Sequence, residues 1–304
     1  MTGASGLVGA HVARQAAGRF DTLGLFQTFR PPHFPSRLES LDLTDASAVR
    51  AMLEAFRPDV LVHCAALTDA DRAQREPELA RRLNVDATAT LAQSARQFGV
   101  KLVFLSTDLV FDGRKGAPYV EEDPPQPLSL YGRTKLDAER IVRAAGDRWV
   151  IARTSLVVGP SPRGERSLDE KLGLALRTGR RVRLFVDEFR CPISVFDLAA
   201  AVLELADSPA NGVFHLAGSE RLSRWEIGMR IARRFGWHPA AIKAASTHDV
   251  PMNPPRPADL TLDNSRARSV LKTRLRGLTE MLESPWETPW VGCSPACSTP
   301  SASV

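Results

Sequence analysis

The chain has 304 residues, 43% hydrophobic and 25% charged, which suits one large α/β domain or a large and a small lobe. Its net charge of +5 comes mainly from arginine, since only six of forty basic residues are lysine, and these cations form no run and interleave with no aromatics. That pattern argues against a nucleic-acid partner and suits an anionic small ligand. No stretch approaches the roughly 18 apolar residues of a membrane span, no signal peptide opens the chain, and the four cysteines lack CxxC or Cys/His spacing. A cytoplasmic protein without membrane or metal is expected.

In chain order, "MTGASGLVGA" places Gly3, Gly6 and Gly9 three residues apart. A glycine loop before a helix offers free N–H groups and the positive end of the helix dipole to a diphosphate. Gly3, Ser5, Gly6, Leu7 and Val8 would form that cradle; alone, the spacing equally fits a plain turn. "TLGLFQTF" (22–29) predicts a strand, "ASAVRAMLEAF" (46–56) a helix, and "DVLVHCAA" (59–66) a buried strand. "ELARRLNVDATATLAQSARQFG" predicts one long helix ending at Gly99. "VKLVFLST" (100–107) is a buried strand, a helix runs from about Ser129 to Ala145, and "WVIARTSLVVG" (149–159) is a further strand.

Buried strands alternating with amphipathic helices predict an α/β, doubly wound parallel sheet, Rossmann-like. Beyond Gly159 the rhythm loosens. Helices are expected in "SLDEKLGLALRTGR", in "SVFDLAAAVLELADS" behind a Ser194 cap, and between Ser223 and Gly236; "RVRLFV" and "GVFHLAG" read as strands. Residues 1–159 are read as a dinucleotide-binding domain to which 190–216 returns. Residues 160–189 and 217–284 form a smaller C-terminal substrate lobe, and the Ser- and Pro-rich 285–304 is read as a disordered tail.

The second strand ends in "FQTFR", with no carboxylate for a ribose diol but with Arg30, either a partner for a 2′-phosphate or an ordinary surface cation. NADPH is therefore favoured, with NADH as the alternative. Asp42 and Leu43 lie where the third strand would end, near an adenine. Only Met1 and Thr2 stand where a buried first strand belongs. The first strand is therefore expected to be missing from the numbered chain, whose start is read as an internal Met or a misassigned initiation site about five to eight residues short, the alternative being a truly truncated, weakly active or inactive protein. Such a chain should be poorly soluble and bind NADPH weakly.

The sharpest motif is "YGRTK". Tyr131 and Lys135 are four apart, hence on one helix face. A phenol is a poor acid near pH 7; a lysine cation beside it would lower its pKa and let it protonate a carbonyl oxygen as hydride arrives. Thr107, ending a strand upstream, could hold the same carbonyl.

With these residues the sequence resembles the extended short-chain dehydrogenases/reductases, and among them the dTDP-4-dehydrorhamnose reductase family. The likeness rests on "TGASGLVG", "RPDVLVHCAALTDADRAQREPELARRLNV", "LSTDLVFDG", "PYVEEDPPQPLSLYGRTKLDAE", "ARTSLVVG", "DEFRCPISVFDLA" and "PRPADLTLDNSRA", over roughly residues 2–270. It implies reduction of a nucleotide-linked 4-keto sugar, in dTDP-rhamnose biosynthesis or a related route. It maps Thr107, Tyr131 and Lys135 onto the catalytic trio, with Lys135 on the nicotinamide ribose. Cys64, Ala65, Ala66 and Asn84 fall at cofactor positions, and Thr107, Asp108, Arg190 and Arg256 at substrate positions. Arg190 and Arg256 would meet a diphosphate or form salt bridges between segments. The chain departs from the family at Leu156, where the reductases usually carry a substrate-contacting Trp. The regulatory β-subunit of methionine adenosyltransferase shares many of these motifs. Three readings stay open: the reductase, another family enzyme such as a nucleotide-sugar epimerase, and a non-catalytic cofactor-binding subunit. The partners implied are a nucleotide-sugar and, as an open alternative, a second copy of the chain.

Overall fold

The computed structural model describes residues 1–32, 34–250, 252 and 254–284. The expected disordered tail, with Cys293 and Cys297, lies outside these residues, as do His33, Pro251 and Asn253. The elements in chain order are α1 (Leu7–Ala16), β1 (Leu23–Phe26), β2 (Arg37–Ser40), α2 (Ala46–Phe56), β3 (Val60–His63), α3 (Ala70–Arg75), α4 (Pro77–Arg81), α5 (Ala87–Phe98), β4 (Lys101–Thr107), α6 (Leu130–Ala144) and β5 (Trp149–Thr154). There follow β6 (Val157–Val158), α7 (Leu168–Arg177), β7 (Val182–Phe185), β8 (Phe189–Arg190), β9 (Ile193–Ser194), α8 (Val195–Ala206), β10 (Gly212–Leu216), β11 (Leu222–Ser223), α9 (Arg224–Arg234), β12 (Ile242–Ala245), α10 (Ser265–Val270) and α11 (Leu278–Glu283).

The main sheet is parallel. It runs β10-β5-β4-β3 on one side of the chain start and β1-β2 on the other. Thr2 joins the halves by bridging Leu25 and His63. The Thr2 N–H donates to the Val62 carbonyl (2.9 Å), the Leu25 N–H to Met1 (2.8 Å) and the Ala4 N–H to Leu25 (3.0 Å). No strand precedes α1 among the described residues, as expected; Thr2 alone bridges the two halves at the carboxyl end of the sheet and anchors the glycine loop there.

The strand sequences are continuous apolar runs because helices cover both faces. Successive side chains point to opposite faces, so Val103, Val150, Ala152 and Phe214 join Val8, Val12, Leu198 and Val202 of α1 and α8. Their neighbours Leu102, Phe104, Ile151 and Val213 join Val49, Leu53, Leu91 and Val142 of α2, α5 and α6. The segment after Arg190 returns to this sheet: α8 packs on α1, and β10 pairs with β5 from Gly212↔Val150 to Leu216↔Thr154.

A second cluster, with Leu172, Leu184, Leu222, Ile227, Ile231 and Met281, gathers α7, α9 and α11 around the parallel pair β7-β12. Leu156 packs against it. Ser167 and Ser223 each close a capping box, with Glu170 and Glu226 at the third helical position, and thereby fix the starts of α7 and α9.

Two local differences from the sequence reading have physical causes. The expected long helix is interrupted at Arg82–Asp86 by a π-helical turn, which carries the buried Asn84 against Leu67 and α6. The expected strand 149–159 breaks at Ser155 and Leu156; β6 then leaves β5's sheet and pairs with β9 instead. No described helix is long and apolar enough to cross a membrane.

Candidate active site

The glycine loop sits at the carboxyl end of the sheet. Gly3 adopts a left-handed φ of +70°, and a Cβ there would fall 2.8 Å from the Ala65 nitrogen. The loop thus lies directly on Cys64–Ala66, the expected cofactor segment after β3. Gly6 caps α1, so Leu7 and Val8 lie in a first turn whose N–H groups lack intrahelical acceptors. Ser5 stands between them and Gly3. Burial pushes the Cys64 thiol up to about 12, so it stays protonated at neutral pH.

Arg30 is exposed in the loop that follows β1. Its neighbour Phe29 lies under Arg163, whose guanidinium is 4.4 Å from the ring centroid. Asp42 follows β2 and accepts from the Thr44 N–H (2.9 Å) and hydroxyl (2.8 Å). These two bonds hold its carboxyl below the usual range. Leu43 is half-buried against the α2 side of the core.

Asn84 is buried and its side chain is fully engaged. Its Oδ1 accepts from the Leu67 N–H (2.8 Å), and its Nδ2 donates to the Leu67 carbonyl (3.2 Å) and the Thr134 hydroxyl (3.0 Å). It clamps the loop after β3 to α6, and so acts on the cofactor segment from behind.

A connected polar string backs the same segment. The Thr88 hydroxyl donates to the Asn84 carbonyl (2.8 Å), so its oxygen accepts from His63 Nε2 (3.0 Å). The Thr2 oxygen accepts from the Ala65 N–H (3.2 Å), so the Thr2 hydroxyl donates to His63 Nδ1 (2.7 Å). The string holds His63 in the Nε2–H tautomer. Burial, with Lys135 nearby, lowers its pKa to about 3.

Tyr131 and Lys135 lie on the buried face of α6, which Ser129 caps through the Gly132 N–H (3.1 Å). A Cβ on Gly132 would fall 2.2 Å from the Leu109 carbonyl, so glycine lets α6 approach the turn after β4. This contact brings Tyr131 beside Thr107, the last residue of β4. Burial, reinforced by the Asp108 charge, raises the phenol above its ordinary value.

The expected mutual tuning of Tyr131 by Lys135 is not the arrangement here. Lys135 Nζ donates to the Leu105 carbonyl (2.7 Å) and sits 3.9 Å from the Phe104 ring centroid. Burial lowers it to about 7, and the nearby Glu139 carboxylate opposes that fall. The groups around the Tyr131 phenol are Thr107 and Asp108 instead. The shared helix face fixed the alignment of the pair, while β4 decided where the ammonium points.

The expected substrate residues are linked across lobes. Asp108 is 4% exposed. It accepts from Thr107 Oγ1 (3.1 Å) and Ser155 Oγ (2.9 Å), and lies 3.8 Å from Arg190 Nε. Its carboxyl therefore faces inward. Arg190 is also buried, bonded to the Phe189 carbonyl (2.6 Å) and 3.0 Å from Glu188. Arg256 lies 3.7 Å from the second Glu188 oxygen, and Arg224 is 3.9 Å from the first. Three guanidiniums thus surround one buried carboxylate, a net positive cluster at the lobe junction.

Arg224, Glu188 and Ser155 had no local signal, since their pairing crosses β8, α9 and the β5–β6 break. Glu139 had one, being four residues past Lys135 on the same helix face. It accepts from Ser106 (2.6 Å) and from Arg153 through two bonds (2.9 and 2.7 Å).

The family model "RmlD substrate binding domain" matches residues 1–287. Methionine adenosyltransferase 2 subunit beta of Xenopus laevis is 32% identical over 273 residues, 88% of this chain and 80% of that one. A dTDP-4-dehydrorhamnose reductase of Sinorhizobium fredii is 35% identical over 230 residues, 73% of each chain. The crystal structure of a hypothetical dTDP-4-dehydrorhamnose reductase from Sulfolobus tokodaii superposes with a TM-score of 0.80 at 33% identity, over 91% of this chain and 96% of that one. The chain therefore belongs to the RmlD substrate-binding domain family, within the extended short-chain dehydrogenases/reductases.

Proposed function

We propose that the protein reduces the 4-keto group of a nucleotide-linked sugar, using NADPH. The observation that carries this reading is the placement of Tyr131 and Lys135 on the buried face of α6, beside Thr107 at the carboxyl end of β4. The site residues fit a dinucleotide. The α1 amides and glycine loop would hold its diphosphate, Cys64–Ala66 its nicotinamide side and Arg30 its 2′-phosphate. The reduced nicotinamide supplies hydride to the carbonyl carbon. Tyr131 supplies the proton to the carbonyl oxygen, Thr107 orients that oxygen, and the Arg190, Arg224 and Arg256 cluster meets the substrate diphosphate.

The test is NADPH oxidation against a panel of nucleotide-linked 4-keto sugars. Turnover with at least one sugar is expected; none across the panel, with the protein folded and binding NADPH, overturns the reading. A second reading, a cofactor-binding subunit without turnover, is supported by the methionine adenosyltransferase relatives. The same assay separates the two. An epimerase would instead retain bound NAD through purification.

A further inference from the structure

Phe29 and Arg30 belong to the segment that follows β1, and a residue of the other lobe reaches them. Arg163 lies in the loop between β6 and α7, and its guanidinium sits 4.4 Å from the Phe29 ring centroid. An aromatic face holds a guanidinium by its plane and leaves the N–H edge open. Among the described residues no hydrogen bond takes the Arg163 donors. Its one ion pair there is with Glu165, at 3.8 Å, and both side chains are exposed. Arg30, next to Phe29 in the chain, has neither hydrogen bond nor ion pair among the described residues. Two guanidiniums with open donors are therefore gathered around the segment after β1.

The loop that carries Arg163 is firmly built. Pro162 and Arg163 form the centre of a turn that Gly164 closes at a φ of +72°, its N–H donating to the Ser161 carbonyl (3.1 Å). The Glu170 carboxylate, in the first turn of α7, accepts from the Ser161 hydroxyl (2.7 Å) and from the Arg166 (2.8 Å) and Ser167 (3.0 Å) N–H groups. His11 of α1 donates through Nε2 to the Pro160 carbonyl (2.7 Å). That bond ties the start of the loop to the helix whose first turn would hold the diphosphate. The loop thus crosses from the substrate lobe to the end of β1, where this fold places the ribose of a dinucleotide.

We infer that Arg163 is a second binding cation for the 2′-phosphate of NADPH, supplied by the substrate lobe to the site that Arg30 begins. This rests on the proposed use of NADPH. A phosphate monoester carries about −1.5 to −2 elementary charges at pH 7, more than one guanidinium neutralises. Arg30 and Arg163 together match that charge, and each offers a fork of donors to phosphate oxygens. Phe29 and the Glu170 bonds place Arg163 beforehand, so little ordering is lost on binding. Because the two cations come from different lobes, NADPH ties the lobes together at this corner. NADH brings no anion there, so the choice between the cofactors is set from both lobes.

Calorimetric titration of the full chain with NADPH, NADH and adenosine 2′,5′-bisphosphate tests this without turnover. Arg163→Ala should weaken NADPH and the bisphosphate by about tenfold each, the scale of one charge-assisted hydrogen bond, and leave NADH unchanged. Arg163→Lys keeps the charge and loses the fork, so its loss should be smaller. Phe29→Leu removes the ring and no charge, and should also weaken NADPH more than NADH. A contact that only holds the lobes together would weaken both cofactors alike. Equal losses for NADPH and NADH in Arg163→Ala, or unchanged NADPH affinity, overturn the inference.

Arg30→Ala in the same titration separates the inference from the reading beneath it. A selective NADPH loss in Arg30→Ala with none in Arg163→Ala strikes only the second cation. Selective loss in neither variant, or a wild type that binds both cofactors equally, strikes the use of NADPH and the inference with it.

Discussion

Glu139 and Arg153 form a fully buried, two-pronged ion pair beneath the active-site face of α6, with Nε–Oε1 at 2.9 Å and Nη2–Oε2 at 2.7 Å. Ser106 and the Glu121 carbonyl complete it, and the guanidinium lies 5.0 Å from the Phe111 ring centroid. The pair ties α6 to β5 one helical turn beyond Lys135. Removing Arg153 leaves the buried Glu139 with only a weaker pairing to the partly exposed Arg143 at 3.5 Å, and breaking such a buried pair costs roughly 3–5 kcal/mol. Arg153→Ala should therefore lose about that much stability in urea unfolding. Replacing both residues by methionine should recover most of it. A loss under 1 kcal/mol for the single change would refute this structural role for the pair.

Tyr131→Phe keeps the ring packing and removes the proton donor. The expected result is a kcat lower by about 10²–10⁴-fold with NADPH binding retained. Near-normal turnover would remove Tyr131 from the mechanism.

Arg30→Ala tests cofactor choice. Arg30 is exposed at the end of β1, where no carboxylate competes for the 2′-position. NADPH affinity should weaken about tenfold, the scale of one charge-assisted hydrogen bond, while NADH affinity stays unchanged. Equal losses for both cofactors would refute the assignment.

Lys135 should make NADPH binding pH-dependent. Burial lowers it to about 7 in the free protein. An anionic cofactor raises it again, so binding takes up a proton. Affinity is then fullest below pH 7 and falls as pH rises above it, by up to about tenfold per unit. Lys135→Met should abolish this slope in a fluorescence titration between pH 6 and 9. A slope that survives the substitution would assign it to another group.

The His63 string should make folding acid-sensitive. His63 is neutral when folded, with a pKa lowered to about 3 from 6.5 by burial. The unfolded chain takes up a proton below 6.5 and the folded one does not. The His63 contribution is therefore complete above pH 6.5 and is lost as pH falls toward 3, by about 1.4 kcal/mol per unit. Urea titrations at pH 7 and pH 4.5 should show roughly 2–3 kcal/mol more loss in wild type than in His63→Gln. Equal losses in the two proteins would mean that His63 is protonated in the fold.

The sequence by itself determined whatever depends on neighbours along the chain. Continuous apolar runs such as Val60–His63 and Lys101–Thr107 identify strands covered on both faces, and the capped helices follow from Ser129, Ser194 and Ser223. The glycine spacing set the loop, and the four-residue interval put Tyr131 and Lys135 on one face. Tertiary structure decided what depends on segments far apart. The π-turn that turns Asn84 onto Leu67 and Thr134, the placement of Thr2 between β1 and β3, and the Lys135 bond to β4 join residues 17 to 61 positions apart. Asp108 shows the division most clearly. The family resemblance marked it as a substrate residue, but Ser155 and Arg190, from segments 47 and 82 residues away, turned its carboxyl inward. Local spacing fixes which side chains share a face. Only packing fixes which buried charges meet, because their partners are chosen by the sheet order and not by the chain.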